Sequence, residues 1–421
     1  MRQLAAYLRR LDPHLPRAVW LLQLGGLVNS FGNGVVLPFL IIYLHNVRGI
    51  PVAIATATAA TNSGCALVSG FVAGSLSDRV GPRRVLAGAL LLMTFAISLF
   101  PFIHSAWQAF VLNGLLGSGS GSFWPSQSSM LAALAPPERR HSGFALQRVS
   151  MNLGVSLGGL TGGLIASTAH PRTFTVLFVL DACTFVAYAF VLMTLPRPEP
   201  IPHEDRGSYR QVAHDRTFIG YIALNAVFMA AAMAALVELL PPFAKNQAHV
   251  SEAGIGALWA VESIVIVVAQ LPVAKLVEGR RRMHGLALMG VVWAATLFAF
   301  GTIGYWTTAT LAAVLMALVA AVFALGECLH GTIHAPLAAD LAPPAYIGRY
   351  MALSSQSWQI GWIVGPLGGG YLLQYHPYLL WLVCGALCLV GAGWALALEH
   401  RLPARVRTTP RAEVAVVAEV G

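Results

Sequence analysis

Charged residues are scarce in this sequence. Only 10% of the 421 residues are Asp, Glu, Lys or Arg, whereas 57% are hydrophobic. A water-soluble fold of this size would lack the polar side chains that cover a surface, so the composition excludes an ordinary soluble protein. The five cysteines all lie inside apolar runs, which argues against a disulfide framework. A lipid bilayer is the solvent that suits this chain.

Long apolar runs fill most of the chain between residues 18 and 397. A helix needs about 20 mostly apolar residues to cross a bilayer, and the runs recur at that length without the short alternating segments of a transmembrane barrel. We therefore predict an all-α membrane protein with twelve transmembrane helices. The predicted spans are 18–44, 52–76, 84–103, 107–131, 143–167, 173–195, 217–240, 253–275, 283–304, 308–335, 350–374 and 377–398.

Basic residues are distributed unevenly over the predicted connections. Nearly all of the 26 Lys and Arg residues fall on one side of the bilayer; Arg48, Arg172 and Lys245 fall on the other, and Arg148 lies within a span. The positive-inside rule then predicts a multi-pass protein of the cell or inner membrane with both termini in the cytoplasm. The net charge of +9 follows from this topology, so it gives no indication of nucleic-acid binding.

A polar stretch divides the chain after the sixth predicted span. We predict an interfacial segment at 1–17, six-helix bundles at 18–195 and 217–398, a central cytoplasmic loop at 196–216 and a flexible tail at 399–421. Residues 133–163 and 340–370 resemble each other without a gap, which indicates an internal repeat. Both copies carry glycines every four residues, a spacing that allows close helix contact in lipid. These glycines are Gly154, Gly158, Gly162, Gly361, Gly365 and Gly369.

Two motifs carry a family resemblance. The stretch "GSLSDRVGPRR" resembles the Gly-x-x-x-Asp-Arg-x-Gly-Arg-Arg loop motif of the major facilitator superfamily, and "GVSLGGLTGG" and "GWIVGPLGGG" resemble that family's Gly-x-x-x-Gly-Pro-x-x-Gly-Gly antiporter motif. The resemblance covers essentially the whole chain and implies twelve helices in two pseudo-symmetric six-helix bundles. In the loop motif the matching residues are Gly74, Asp78, Arg79, Gly81, Arg83 and Arg84.

The resemblance also implies a conformational latch and shows two departures. In the family, the acid at the Asp78 position engages the start of the eleventh span when the protein opens outward; the alternative is a positive-inside anchor with an incidental acid. Gly159 replaces the antiporter motif's proline, which appears instead as Pro366 and predicts a bend in the eleventh helix. Asn113 replaces the arginine that the family commonly has in the fourth span and that is associated with proton coupling.

Charged side chains within the spans need an explanation, because each costs roughly 2.5–3.5 kcal/mol near the bilayer centre on insertion scales. We interpret Glu262 and Glu327 as residues for proton coupling or substrate contact, since a sealed carboxyl group holds a proton that it releases when wetted. The alternative is a fixed hydrogen bond between helices. Arg148 either pairs with one of these acids or offers a positive site to an anion. Asp181 is a further candidate, whereas Glu238 is interpreted as an interface residue.

Uncharged polar residues complete the predicted cavity. When the two halves are compared, the position of Glu262 in the eighth span corresponds roughly to that of Asn62 in the second span. Amide side chains on the fifth and eleventh spans supply further hydrogen-bonding groups: Gln147, Asn152, Gln356 and Gln359. Glu327, His330 and His334 share a helix face at a spacing that suits a metal, but no fourth ligand is evident and we favour a water-lined proton route.

The leading hypothesis is a secondary active transporter that works by alternating access and exports a small amphipathic or apolar drug or metabolite against inward proton flow. The alternatives are an uptake symporter or lipid transporter of the same superfamily and, with less support, a polytopic enzyme or receptor. The sequence contains no motif for a nucleophile, for paired catalytic carboxylates or for a phosphate cradle, which argues against an enzyme. We expect no cofactor, no bound metal and no nucleic-acid partner, and a monomer in the bilayer whose partners are protons and substrate.

Overall fold

Twelve long helices account for nearly all of the described chain. The computed structural model describes residues 15–136, 140–196, 212, 214–306, 308–343 and 347–409, and these contain no strand beyond one isolated bridge. The helices are α1 Arg17–Val47, α2 Val52–Val80, α3 Pro82–Leu99, α4 Ala106–Leu134, α5 Arg140–Ile165, α6 Arg172–Thr194, α7 Arg216–Asn246, α8 Glu252–Val277, α9 Arg282–Trp306, α10 Ala309–Leu341, α11 Ile347–Tyr375 and α12 Pro377–Glu399.

The predicted all-α membrane fold is confirmed. Nine of the helices in the described chain are long and apolar enough to cross a membrane, judged by length and composition alone. The other three are α4, α5 and α11, which carry more glycine and serine. Their lower hydropathy has a structural reason, because small residues in a membrane bundle belong at helix contacts.

Equivalent helices pack in the same way in the two halves. In the first half α5 packs on α1 and α2 packs on α4; in the second half α11 packs on α7 and α8 packs on α10. The glycine rows make the α5 and α11 contacts possible. A Cβ on Gly154 would lie 2.6 Å from Leu27 O, and a Cβ on Gly365 would lie 2.7 Å from Ala230 O. The α11 helix stays helical through Pro366 and ends at Tyr375.

The outer third of α1 and the middle of α7 depart from regular α-helix. In α1 a 3-10 turn occupies Leu37–Phe39 and a π turn occupies Tyr43–Val47. In α7 two π turns occupy Met229–Met233 and Ala235–Leu239. Prolines within α1 and α7 remove backbone donors, and π turns are frequent at functional sites. The first helix of each half is therefore irregular.

The two halves meet at the end of the bundle opposite to both ends of the described chain, which we call the outer end. Asn46 Nδ2 donates to Asn246 Oδ1 at 2.6 Å. Ala53 N donates to Gln374 Oε1 at 3.0 Å. These contacts, with the close approach of α5 to α8 and of α2 to α11, form a closed structure that we call the outer seal.

Glu252 adds a third bond to the outer seal. Its Oε1 accepts hydrogen bonds from Thr168 N and Thr168 Oγ1, both at 2.9 Å, and lies 2.9 Å from Lys245 Nζ. Thr168 belongs to the first half and Glu252 to the second. The carboxylate therefore joins the halves while its charge is balanced within the second half.

Parts of the predicted domain boundaries fall outside the described residues. These parts are most of the interfacial segment at 1–17, most of the loop at 196–216 and the last twelve residues of the tail, so the boundaries stay predictions. Residues 404–409 of the tail are paired with the α8–α9 connection: Arg282 N donates to Arg407 O at 2.8 Å and Gly279 N donates to Thr409 O at 3.0 Å.

Candidate proton and substrate site

Two carboxyl groups meet between α8 and α10. The side chains of Glu262 and Glu327 are in hydrogen-bonding contact with each other. Ser263 Oγ also donates to Glu262 Oε2 at 3.1 Å. If both carboxyl groups were ionised, each could only accept hydrogen bonds. A hydrogen bond between them therefore requires a proton on one of them. The pair is therefore a place where the chain can hold a proton inside the bilayer.

Arg148 reaches this pair from the opposite half. It projects from α5 toward α10, where a Cβ on Gly331 would lie 2.8 Å from Arg148 Nη2. Gly331 is one helical turn from Glu327, and the guanidinium interacts electrostatically with the Glu327 carboxyl group. Within the described residues Arg148 forms no direct ion pair, and its side chain is exposed. The arrangement sets one fixed cation beside a protonatable acid pair.

Two buried acceptor atoms near the middle of the second half are unpaired. Among the described side chains, Glu327 Oε2 and Gln356 Oε1 are buried and accept no hydrogen bond. A buried acceptor without a donor costs about 1–3 kcal/mol. A water molecule or a donor group of a substrate would relieve this cost at either atom, and a proton would relieve it at Glu327.

The remaining amide residues predicted to line the cavity are only partly buried. Gln147 and Asn152 lie on α5 and Gln359 lies on α11, and all three side chains are half-buried. They lie on the two helices that the internal repeat relates. Their part in substrate contact stays a prediction.

Two other predicted site residues lie in helix seams of the first half. Asn62 Nδ2 donates to Asn113 O at 3.2 Å, and Asn113 Nδ2 donates to Thr58 Oγ1 at 3.1 Å, so both amides join α2 to α4. Asp181 is buried on α6 beside Gly32 of α1, and Thr184 Oγ1 lies 3.4 Å from its Oδ1. The structure thus brings together Glu262, Glu327 and Arg148, but places Asn62 and Asp181 elsewhere.

A buried histidine network links α7, α10 and α11. His330 Nε2 lies 2.7 Å from Asn225 Oδ1, and His334 Nδ1 lies 2.7 Å from the Tyr221 hydroxyl group. His334 Nε2 lies 3.0 Å from Ser354 Oγ, and the two imidazole rings stack 4.7 Å apart. Sequence reasoning noticed the histidines but not their partners, because Tyr221 and Asn225 lie more than 100 residues away in the chain.

The donors in this network can be assigned from its connections. The Tyr221 hydroxyl group donates to His334 O at 2.9 Å, so His334 Nδ1 donates to Tyr221 and His334 Nε2 accepts from Ser354. An uncharged imidazole fits this pattern. The histidines therefore tie helices together, and the described chain contains no group of three or more metal-ligating side chains.

The loop motif between α2 and α3 is built around a glycine with a positive φ angle. Gly81 has φ of 88°, a conformation that favours glycine over residues with a Cβ. Arg83 Nη2 donates to Met193 O at 2.6 Å and so joins this loop to the end of α6. The proposed contact of Asp78 with α11 stays a prediction. Of the other latch residues, Arg79 and Arg84 are exposed, and the surroundings of Gly74 and of the Asp78 side chain lie outside the described part.

Comparison with known proteins gives consistent family and fold matches. A family model described as Major Facilitator Superfamily matches residues 22–326 and 222–419. The "Uncharacterized MFS-type transporter YhjO" of Bacillus subtilis is 25% identical over 389 residues, which cover 91% of this chain and 94% of that protein. The "Multidrug resistance protein MdtH" of Salmonella typhimurium is 25% identical over 351 residues, which cover 80% of this chain and 83% of that protein. The first of these two relatives is named as a transporter.

Solved structures share the fold at low identity. A peptide transporter POT in complex with sulfate aligns with a TM-score of 0.76 at 16% identity and covers 93% of this chain and 96% of its own. A D-xylose-proton symporter aligns with a TM-score of 0.71 at 16% identity, covering 93% and 98%. A bacterial homolog of the human lysosomal transporter Spinster, in an inward-facing and unoccupied conformation, aligns with a TM-score of 0.71 at 13% identity, covering 94% and 98%.

Proposed function

Because this chain belongs to the major facilitator superfamily, we propose that it is a secondary active transporter that exports a small amphipathic or apolar compound in exchange for protons. Transport follows alternating access, in which the two halves rock about a central site. The site is the acid pair Glu262 and Glu327 with the facing Arg148. The outer seal is closed in the structure, which corresponds to a state that takes up its substrate from the other side.

The acid pair carries this proposal. A proton held between Glu262 and Glu327 is stable while the site is dry, and it leaves when water reaches the carboxyl groups. Arg148 comes from the opposite half, so its distance from Glu327 changes when the halves move. Rocking then changes the charge balance at the pair, and this change links proton release to the conformational cycle.

Two observations support an amphipathic or apolar substrate. The relative MdtH is named a multidrug resistance protein. Two tryptophans lie on helices around the site: Trp259 packs on Gly159 one turn outward from Glu262, and Trp358 contacts the His330 ring edge-on at 5.3 Å. Indole rings provide apolar contact area with a polar edge, which suits flat amphipathic compounds.

The driving force is sufficient for export. A proton that moves inward, down a membrane potential of about 100 mV that is negative inside, releases roughly 2.3 kcal/mol. This free energy corresponds to a substrate gradient of more than tenfold for each proton, since about 1.4 kcal/mol is a factor of ten.

Uptake by symport is the second candidate, and the exposed guanidinium of Arg148 favours it. A fixed cation in an open cavity attracts an anionic substrate. Protonation of the adjacent acid pair would strengthen that attraction, which would couple anion and proton movement in the same direction. The direction of proton-driven flux separates the two candidates.

Flux in inside-out membrane vesicles tests the proposal. Compounds are first selected by thermal stabilisation of the purified protein across a library of drugs, lipids and metabolites. Vesicles energised by respiration should then accumulate the selected compounds, and a protonophore should abolish the accumulation. The Glu262→Gln, Glu327→Gln double variant should bind but not accumulate them. If the double variant accumulates the compounds at the parent rate, the acid pair is not the coupling site. If energised vesicles instead lose the compounds to the outside, the result supports symport.

A further inference from the structure

We propose that the seam between α1 and α6 binds a sodium ion through the Asp181 carboxylate, the Thr184 hydroxyl group and the side-chain amide oxygen of Asn29. This site lies within the first half, away from the acid pair, and does not depend on the direction or the coupling of transport. From the sequence we expected no bound metal, because Asp181 stands alone among apolar residues of α6 and its partner Asn29 comes from another helix.

The register of the two helices places Asn29 opposite the acid's helical turn. Near the start of α1, a Cβ on Gly25 would meet the Tyr188 ring. Seven residues later, a Cβ on Gly32 would meet Thr184 Oγ1 and the acid's Oδ1, so the helices run antiparallel. Asn29 lies between the two glycines on the same helix face, because residues three and four positions apart are neighbours there. Its side chain therefore faces the stretch of α6 that Thr184 occupies.

The oxygen atoms that meet in this seam lack donors. Asn29 is 1% exposed, and its Oδ1 is buried without a hydrogen bond. The Thr184 hydroxyl group donates to Asp181 O at 2.7 Å, and Thr184 Oγ1 lies 3.4 Å from Asp181 Oδ1. Toward the start of α1, the side-chain oxygens of Gln23 and Gln127 are also buried and unpaired. This side of the first half therefore has an excess of acceptors, which a cation relieves.

No basic side chain balances Asp181. The residue is 2% exposed, and within the described chain its carboxyl group forms no ion pair. Residues 18–36 of α1 and 173–194 of α6 contain no Lys, Arg or His. Arg148, the basic residue deep in this half, interacts with Glu327 instead. Because an ionised carboxylate enclosed by apolar helices is strongly unfavourable, a bound cation supplies the charge that the chain lacks.

The ligand chemistry favours sodium over other metal ions. Carboxylate, hydroxyl and amide oxygens suit hard cations, whereas zinc and copper prefer thiolate and imidazole groups. Oxygens bound to one such ion at about 2.4 Å lie about 3.4 Å apart when they are adjacent, and this is the separation of Thr184 Oγ1 and Asp181 Oδ1. A single carboxylate balances one positive charge. A site of this kind is not a group of three His, Cys, Asp or Glu residues, and the described chain contains none of those.

Thermal unfolding in different salts tests this inference. The purified protein is heated in mixtures of sodium chloride and choline chloride at constant ionic strength, which keeps charge screening equal. The unfolding temperature should rise with sodium by about 2 °C or more and then saturate, as expected for a ligand that binds only the folded state. Potassium chloride should give a smaller rise. Equal unfolding temperatures in sodium, potassium and choline chloride overturn the inference.

Variants of the ligands assign the ion to this seam. Asp181→Asn should unfold at a temperature that does not depend on sodium, and so should Thr184→Val and Asn29→Leu, which cover the case in which one variant does not fold. Glu238→Gln removes a buried acid of the second half and should keep the parent response. A parent-like sodium response in Asp181→Asn, or its loss in Glu238→Gln, overturns the inference. These measurements need no flux, so absence of proton-driven flux removes the proposed function and leaves the sodium site intact.

Discussion

The two halves of this transporter share their packing but differ in their buried charges. Glycine rows bring α5 onto α1 and α11 onto α7 in the same way, and the first helix of each half carries an asparagine near its outer end that pairs with the asparagine of the other half. The second half holds most of the buried acids and the histidine network, whereas the first half uses mainly amides and hydroxyl groups. The unshared groups are Glu238, Glu262, Glu327, His330 and His334 in the second half and Arg148 and Asp181 in the first. The comparison indicates that the repeat preserves helix contacts while each half acquires its own chemistry.

Because the two halves share their packing, we expect the largest loss of stability from substitutions in the glycine rows, and an equal loss in the two halves. Gly158→Leu and Gly365→Leu should each destabilise the protein by about 3 kcal/mol or more, because a larger side chain meets the backbone of α1 or α7. Gly368→Leu is the matched control on α11, since a Cβ there meets nothing within 4 Å. Thermal unfolding of the purified variants measures the effect. A stable Gly158→Leu protein beside an unstable Gly365→Leu protein would break the symmetry.

The charge difference predicts unequal effects on proton coupling. Glu327→Gln should reduce proton-driven flux by at least about tenfold, within the usual range of linked free energies, because the acid pair then lacks a titratable member. Asp181→Asn should retain gradient dependence, since Asp181 lies in the α1–α6 seam. Vesicle flux with and without a protonophore measures both. Equal loss of gradient dependence in the two variants would assign coupling to both halves.

The α2–α3 and α8–α9 connections offer a third test of the comparison. Asp78→Asn should leave the protein in the membrane and reduce transport heavily, because the resemblance assigns the outward-open latch to that acid. Glu278→Gln in the corresponding α8–α9 connection should change transport little, since backbone hydrogen bonds between this loop and residues 407 and 409 hold it in place. Transport rates in reconstituted vesicles, with protein amounts matched, measure both effects. Unchanged transport by Asp78→Asn would remove the latch.

The smallest expected difference concerns the buried tyrosines. Tyr221→Phe should lower stability by about 1–3 kcal/mol, because His334 loses its acceptor and the network opens. Tyr188→Phe in the first half should cost about 1 kcal/mol, since only Gln127 Nε2 loses a partner there. Thermal unfolding of the two variants gives the difference. A larger loss for Tyr188→Phe would mean that the histidine network adds no stability beyond one hydrogen bond.

Much of the fold could be predicted from the sequence, because bilayer thickness fixes the helix length and lipid forbids uncovered backbone polar groups. The four-residue spacing of glycines also predicted the contacts of α5 and α11, since that spacing has a direct geometric consequence. The approximate spans agree with the helices to within several residues at most ends, although α10 extends to Leu341, beyond the predicted end at residue 335.

The side-chain arrangement of the site was harder to predict, because it depends on how helices distant in sequence rotate against one another. Glu262 and Glu327 were recognised as unusual from their depth, but their contact depends on α8 packing on α10. Asn62 was paired with Glu262 by position in the repeat, yet its amide bonds to Asn113.

Proton release on substrate binding tests the central claim most directly. Purified protein in unbuffered detergent solution is mixed with a compound selected by thermal stabilisation, and the pH change is recorded at several starting pH values. The account predicts that binding displaces protons from the parent and from Asp181→Asn, and displaces none from the Glu262→Gln, Glu327→Gln variant. Proton release from the double variant equal to that of the parent, with unchanged affinity, would contradict the assignment of the coupling site to this acid pair.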